Sequence, residues 1–288
     1  MEQHRFTSFD GTKLAGFRAG EKGKPALVLA NGLGGDVEAW RHLIDQLQDR
    51  YHIISWDYRG LFRSDIPKDP SSYAVKTHCL DLATLLKQEE IDSFVIAGWS
   101  MGVQVCLEHY RLFPEQVQGL ILVCGTYGRP FETAFHAKIP KFILEELTRF
   151  FHKQHKLVEY VMRKMLHQID VVRWGKVLGF LAHQTEERVV RKVVDNFIST
   201  LNMEVYFQIL DALSKHDAEE ILEKIHVPTL IVAGGKDFFT PMSLAEEMHQ
   251  RIQGSELVIV PGGSHYAPVE YPEVINPAVE NFLSQNKL

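Results

Sequence analysis

Cysteine is scarce in this chain. Cys79, Cys106 and Cys124 are the only three among 288 residues. An odd, small set with no C-x-x-C and no zinc-type His/Cys spacing argues against a disulfide framework and fits a reducing, cytoplasmic setting. Positive charge is also short: 31 Lys and Arg against 37 Asp and Glu leave a net −6, which argues against a nucleic-acid surface. No apolar run approaches the roughly 20 residues needed to span a bilayer. The opening Met1 to Asp10 is polar, without an apolar h-region, so no secretory leader is read. There is no internal repeat and no low-complexity segment.

What the chain does have is alternation. Short apolar runs at Ala26–Ala30, His52–Trp56, Phe94–Ala97, Leu120–Cys124, Pro228–Ala233 and Glu256–Val260 read as buried strands. Helical patterns over Val37–Leu47, Tyr73–Leu86, Val103–Leu112, Ser243–Ile252 and Pro272–Leu283 separate them, with Pro277 weakening the first turn of the last. Arg5 to Arg18, around Asp10-Gly11, reads as a hairpin adding antiparallel edge strands. Such a pattern predicts a mostly parallel sheet with helices on both faces.

The alternation stops between about Arg129 and Leu222. Ile143, Leu144, Leu147, Phe150 and Phe151 share one helical face, and Trp174, Leu178, Leu181 and Val194, Phe197, Leu201 give further stripes. So many helical residues between two strands exceed a simple crossover. We therefore expect a core of residues 1–128 and 223–288 and an inserted helical cap, 129–222. The cap's apolar stripes bury it on the sheet edge. Some of them, Phe131, Phe135, Phe150, Trp174 and Tyr206, are expected to line an apolar substrate pocket. From Arg129 to Thr200 there are thirteen Lys and Arg against eight Asp and Glu, so the rest of the chain is strongly acidic. A solvated face is the first reading of that charge, and contact with a lipid surface the second. His152 and His155 lie three apart but lack a third ligand, so no metal and no cofactor is expected.

Gly98-Trp99-Ser100-Met101-Gly102 is a G-x-S-x-G between a strand and a helix. In that context the glycines permit a sharp turn that exposes the serine hydroxyl at the carboxyl edge of the sheet. A serine hydroxyl needs a base, and the base an orienting acid. Asp237 and His265 each follow a strand and a glycine turn, so both fall at the same edge as Ser100. Asp57 is the alternative orienter. The oxyanion needs fixed N–H donors. The amide of Met101, at the start of a helix, is one candidate. The amide of Leu33, in the loop Asn31-Gly32-Leu33-Gly34-Gly35, is the other. Gly32 is placed beside the substrate, and Trp99, flanking Ser100, either lines the pocket or belongs to the core.

With these residues in order, the chain resembles an α/β-hydrolase-fold serine hydrolase over nearly its whole length. Asp57-Tyr58-Arg59-Gly60, Pro241 behind Asp237, and Gly263-Ser264-His265 with Glu270-Tyr271-Pro272-Glu273 carry the likeness further. The resemblance implies eight strands and a cap after the sixth. Two positions depart from the family's pattern. Asn31 stands where His is usual, and its side chain is expected to support the loop by hydrogen bonding. Phe62 stands where glycine is common. The expected activity is hydrolysis of a small-molecule carboxylic ester with a fairly apolar acyl group. C–C bond hydrolysis or perhydrolysis on the same residues is the alternative, and a non-catalytic ligand receptor a third reading. Epoxide hydrolases and haloalkane dehalogenases of this fold place aspartate where Ser100 stands.

Overall fold

The computed structural model describes residues 1–69, 71–130 and 202–288, and between them 143, 146, 149, 150, 153–168, 170–177, 181, 185, 187, 188, 191 and 195. Eight strands form one sheet: β1 (Glu2–Thr7), β2 (Lys13–Ala19), β3 (Ala26–Ala30), β4 (His52–Trp56), β5 (Phe94–Trp99), β6 (Val117–Val123), β7 (Thr229–Gly234) and β8 (Glu256–Val260). Their order is β1-β2-β4-β3-β5-β6-β7-β8. The β1–β2 hairpin turns at Gly11, whose φ of 86° is open to glycine without strain. It joins β4 antiparallel, and every later pairing is parallel. The register pairs Ala30 with Gly98, Trp99 with Val123, Val123 with Val232, and Gly234 with Val260. The carboxyl ends of β3, β5, β6, β7 and β8 therefore share one edge.

Helices cover both faces, because strands such as Phe94–Trp99 are buried along their whole length. On one face α1 (Arg41–Leu47) and the C-terminal helix (Pro272–Gln285) pack with Leu27, Leu29, Ile53, Val95 and Val232. On the other, α2 (Val75–Glu89), α3 (Met101–Leu112) and Met242–Arg251 pack with Val28, Ile54, Ile96, Leu120 and Ile231. Cys79, Cys106 and Cys124 are free and buried. Arg59 is fully buried and bridges Asp81 of α2 and Asp10 of the hairpin turn.

Several boundaries differ from the sequence reading. Val37–Trp40 is a separate 3-10 turn, capped by the Asp36 side chain and tied down by the Trp40 indole, before α1 begins. Tyr73 precedes α2, which starts at Val75. The β6 strand starts early, at Val117, and ends before Cys124, whose φ of 45° takes the chain out of the sheet. Pro277 lies inside the last helix without ending it.

Between β6 and β7 come the helices His155–Gln168, Val171–Val177 and Met203–Lys215. Met203, Val205, Phe207, Ile209 and Leu213 of the last one join the core of the α2–α3 face. The two chain passes at the base of this insertion form a short antiparallel stem. Arg129 N–H donates to His216 O (2.9 Å), Ala218 N–H to Tyr127 O (3.0 Å), and Gly128 pairs with Asp217. The Arg129 guanidinium pairs with Asp217 (3.1 Å) and Glu219 across the same stem. Phe131, Phe135, Leu144, Leu147, Phe151, His152, Leu178, Val194, Phe197 and Leu201 lie outside the described residues. Among the described residues no helix is long and apolar enough to cross a membrane.

Candidate active site

Strand β5 delivers Ser100 to the shared edge, and α3 begins immediately after it. Ser100 has φ 57° and ψ −116°, a left-handed conformation that side chains rarely adopt. The turn is held by Ser100 N–H donating to Val123 O (3.0 Å) and Val103 N–H to Ser100 O (3.0 Å). The flanking glycines are required by close approach. A Cβ at Gly98 would collide with Gly102 backbone and Cys106 Sγ, and one at Gly102 with the Ala30 carbonyl.

The structure brings Ser100, His265 and Asp237 together. His265 Nε2 lies 2.8 Å from Ser100 Oγ, and His265 Nδ1 2.8 Å from Asp237 Oδ2. Asp237 is buried and its carboxylate is fully engaged. Oδ1 accepts the amides of Phe239 (2.8 Å) and Thr240 (2.9 Å), while Oδ2 also accepts Thr240 Oγ1 (2.7 Å). Asp57, the alternative orienter, is spent elsewhere. It accepts from Arg63 at 2.6 and 3.0 Å, and that guanidinium opposes the upward push that burial gives its carboxyl.

One proposed oxyanion donor directly follows Ser100 in the chain, and the other sits in a loop packed against it. The Met101 amide opens α3, where the first N–H groups have no intrahelical acceptor and the helix dipole favours negative charge. The loop carrying Leu33 is drawn over Ser100: a Cβ on Gly32 would stand 3.3 Å from Ser100 Cβ and 3.1 Å from the Trp99 ring. Asn31 anchors the loop as expected for a His substitute. Its Nδ2 donates to Trp56 O (3.0 Å), its Oδ1 accepts Trp40 Nε1 (3.1 Å), and its carbonyl accepts Tyr58 OH (2.7 Å). Phe62 takes φ 49°, which accounts for glycine being the commoner residue there.

The pocket candidates fare unevenly. Trp99 is 4% exposed and belongs to the core beneath the oxyanion loop, where its indole N–H donates to His265 O (2.8 Å). It braces the histidine from below, in line with the core alternative of the two the sequence left open. Phe150 and Trp174 are more than half exposed. Tyr206 is half-buried, and burial, with Tyr266 adding, pushes its hydroxyl up to about 12. Two aromatics that the sequence reading missed flank the histidine: Phe239, with its ring 5.2 Å from the imidazole, and Tyr266 at 5.9 Å. Thr240 was missed as well. Its signal is position: three residues after an aspartate in a tight turn, where a hydroxyl can return to the carboxylate. His155 lies 3.6 Å from Glu204. Among the described residues no group of three or more His, Cys, Asp or Glu could hold a metal.

Comparison with known proteins bears on the fold and the family. Residues 25–272 match the alpha/beta hydrolase fold family. A 3-oxoadipate enol-lactonase of Acinetobacter baylyi is 28% identical over 266 residues, spanning 92% of this chain and 91% of that protein. Among solved structures, an esterase from Exiguobacterium antarcticum superposes with a TM-score of 0.81 at 24% identity, covering 98% of this chain and all of its own. An enol-lactonase from Burkholderia xenovorans superposes with a TM-score of 0.75 at 21% identity, over 98% and 100% of the two chains.

Proposed function

Because the chain belongs to the alpha/beta hydrolase fold family, we propose that it is a serine hydrolase of carboxylic esters with a fairly apolar acyl group. The observation that carries this reading is the unbroken relay of 2.8 Å contacts from Ser100 Oγ through His265 to Asp237. His265 Nε2 takes the hydroxyl proton as Ser100 Oγ attacks the ester carbonyl. The N–H groups of Met101 and Leu33 hold the oxyanion. His265 then gives its proton to the leaving oxygen and the alcohol departs, leaving an acyl group on Ser100. Water enters and loses a proton to His265, and its attack releases the carboxylic acid and restores Ser100. Asp237 keeps the Nδ1–H tautomer and stabilises the imidazolium. No cofactor enters these steps.

In this reading residues 129–222 act as a cap on a core of 1–128 and 223–288, and supply the apolar wall for the acyl group. Half-buried Tyr206 packs against the core beside Met203, Val205, Phe207, Ile209 and Leu213, and supports that placement. Three buried free cysteines fit a cytoplasmic setting. Cyclic esters belong in the same substrate trial, since a relative over most of the chain is named an enol-lactonase.

The test is fluorophosphonate labelling with a p-nitrophenyl ester series from acetate to palmitate, on wild type and Ser100→Ala. Labelling confined to Ser100, a chain-length optimum, and a drop in turnover on the order of 10⁴- to 10⁶-fold in the variant are expected. Labelling without ester turnover would move the assignment to C–C or other acyl chemistry. No labelling at all would favour a ligand receptor.

A further inference from the structure

We propose that Glu270 is the positioning residue for His265, and that the insertion between β6 and β7 holds it in place through Thr185. The proposal rests on the assignment of Ser100 and His265 to acyl transfer. Glu270 is 4% exposed and ends the short helix Ala267–Glu270, five residues after the histidine. Its Oε2 accepts the backbone N–H of Ser264 (2.9 Å), and its Oε1 accepts Ser264 Oγ (2.8 Å). Ser264 Oγ in turn accepts the backbone N–H of Tyr266 (3.1 Å). The residues before and after His265 are thus fastened to one carboxylate, while the carbonyl of His265 itself takes the Trp99 indole N–H. The imidazole meets Ser100 on one side and Asp237 on the other only if its backbone stands at the right height and tilt. A shift of about 1 Å in such a group can cost on the order of 100-fold in rate.

The third partner of this carboxylate comes from far along the chain. Thr185, 2% exposed, donates its hydroxyl to Glu270 Oε1 at 3.1 Å. Val172 and Leu181 of the same insertion form a small apolar cluster with Tyr266. The insertion therefore grips the histidine loop twice, once through the carboxylate and once through the neighbouring aromatic ring. Burying a carboxylate is costly, and a hydrophobic side chain would fill the space more cheaply. What a hydrophobe lacks is the ability to fix a backbone N–H and two hydroxyls at set angles. A glutamine keeps the shape of Glu270, yet its amide nitrogen must face either the Ser264 N–H or the two hydroxyl donors.

The full-length protein tests this directly. Fluorophosphonate labelling of wild-type Ser100 is the first arm; its failure would sink the acyl-transfer assignment and this proposal with it. Given labelling, Glu270→Gln should lower kcat and the labelling rate roughly 10- to 100-fold, with KM little changed, because the lost hydrogen bonds are to a charged group. Thr185→Val should lower kcat by roughly 3- to 10-fold, and Thr185→Ser, which keeps the hydroxyl, should restore it. The double variant should be no slower than Glu270→Gln alone, since both act through one network. A fall in Tm with kcat intact would reduce Glu270 to a fold-stabilising residue and overturn the proposal. So would equal kcat in the valine and serine variants of Thr185, a comparison that stands even if Glu270→Gln does not fold.

Discussion

An asparagine at position 237 would keep the aspartate's shape, with NH₂ in place of one oxygen, and still disable the relay. The two backbone amides on Oδ1 leave only the oxygen of an Asn side chain able to face them. Its NH₂ would then face His265 Nδ1, turning that nitrogen into an acceptor and putting the ring proton on Nε2, where it can no longer take the Ser100 proton. Asp237→Asn should therefore lose roughly 10⁴-fold in kcat with an unchanged fold, read by ester turnover beside circular dichroism. At this scale the sequence was informative where chemistry sits on a glycine turn. Ser100, Asp237 and His265 each follow a strand and a turn, and such turns mark their own positions. Thr240 and Ser264 carry no comparable mark. A hydroxyl's role depends on what it meets, and the partner that joins Thr185 to Glu270 is 85 residues away.

Between elements, the tightest constraint is α3 against β3. Gly102 lies in the first turn of α3, and a methyl group there would meet the carbonyl of Ala30, a backbone atom that cannot swing aside. Gly102→Ala should cost about 3 kcal/mol or more in urea unfolding, at the upper end of overpacking effects, and should loosen the Leu33 loop that follows Ala30. The sequence reading located each of the buried parallel strands because their apolar runs are short and bounded by turns. It joined Val37–Trp40 to α1 because both turns share one apolar face. The change of winding there is set by the Asp36 cap and by the bond from Trp40 to Asn31, which periodicity does not register.

For the molecule as a whole, acid is the informative stress. Burial, with Arg59 adding, pushes His78 down to about 3, and burial pushes His109 down to about 4. Both histidines are neutral in the folded protein at pH values where the unfolded chain, with an ordinary histidine near 6.5, binds a proton. Their contribution to stability is complete above about pH 6.5 and is lost as pH falls toward 4 for His109 and 3 for His78. Each group adds up to about 1.4 kcal/mol per pH unit to the slope. Unfolding free energies measured by urea between pH 7 and 4.5 should fall accordingly, and His78→Leu should flatten that slope by about one such increment. A slope unchanged in the variant would mean that His78 takes up its proton in the folded state. The mostly parallel sheet was legible from strand-helix alternation and its eight strands from the resemblance, whereas the strand order came from the structure. The buried histidines were not legible, since nothing in the local sequence separates them from the chain's other twelve.

The stem formed by Tyr127, Gly128 and Arg129 against His216, Asp217 and Ala218 makes the insertion a socketed part. Its ends are already fastened to each other, so the sheet experiences the same boundary whatever length of chain lies beyond them. Lengthening a loop closed in this way costs only about 0.6 kcal/mol per doubling. Selection can exchange the contents of the socket while leaving the sheet beneath it unchanged. Such an exchange must also remake the two grips on the histidine loop, the Thr185 hydroxyl on Glu270 and the apolar contact of Val172 and Leu181 with Tyr266.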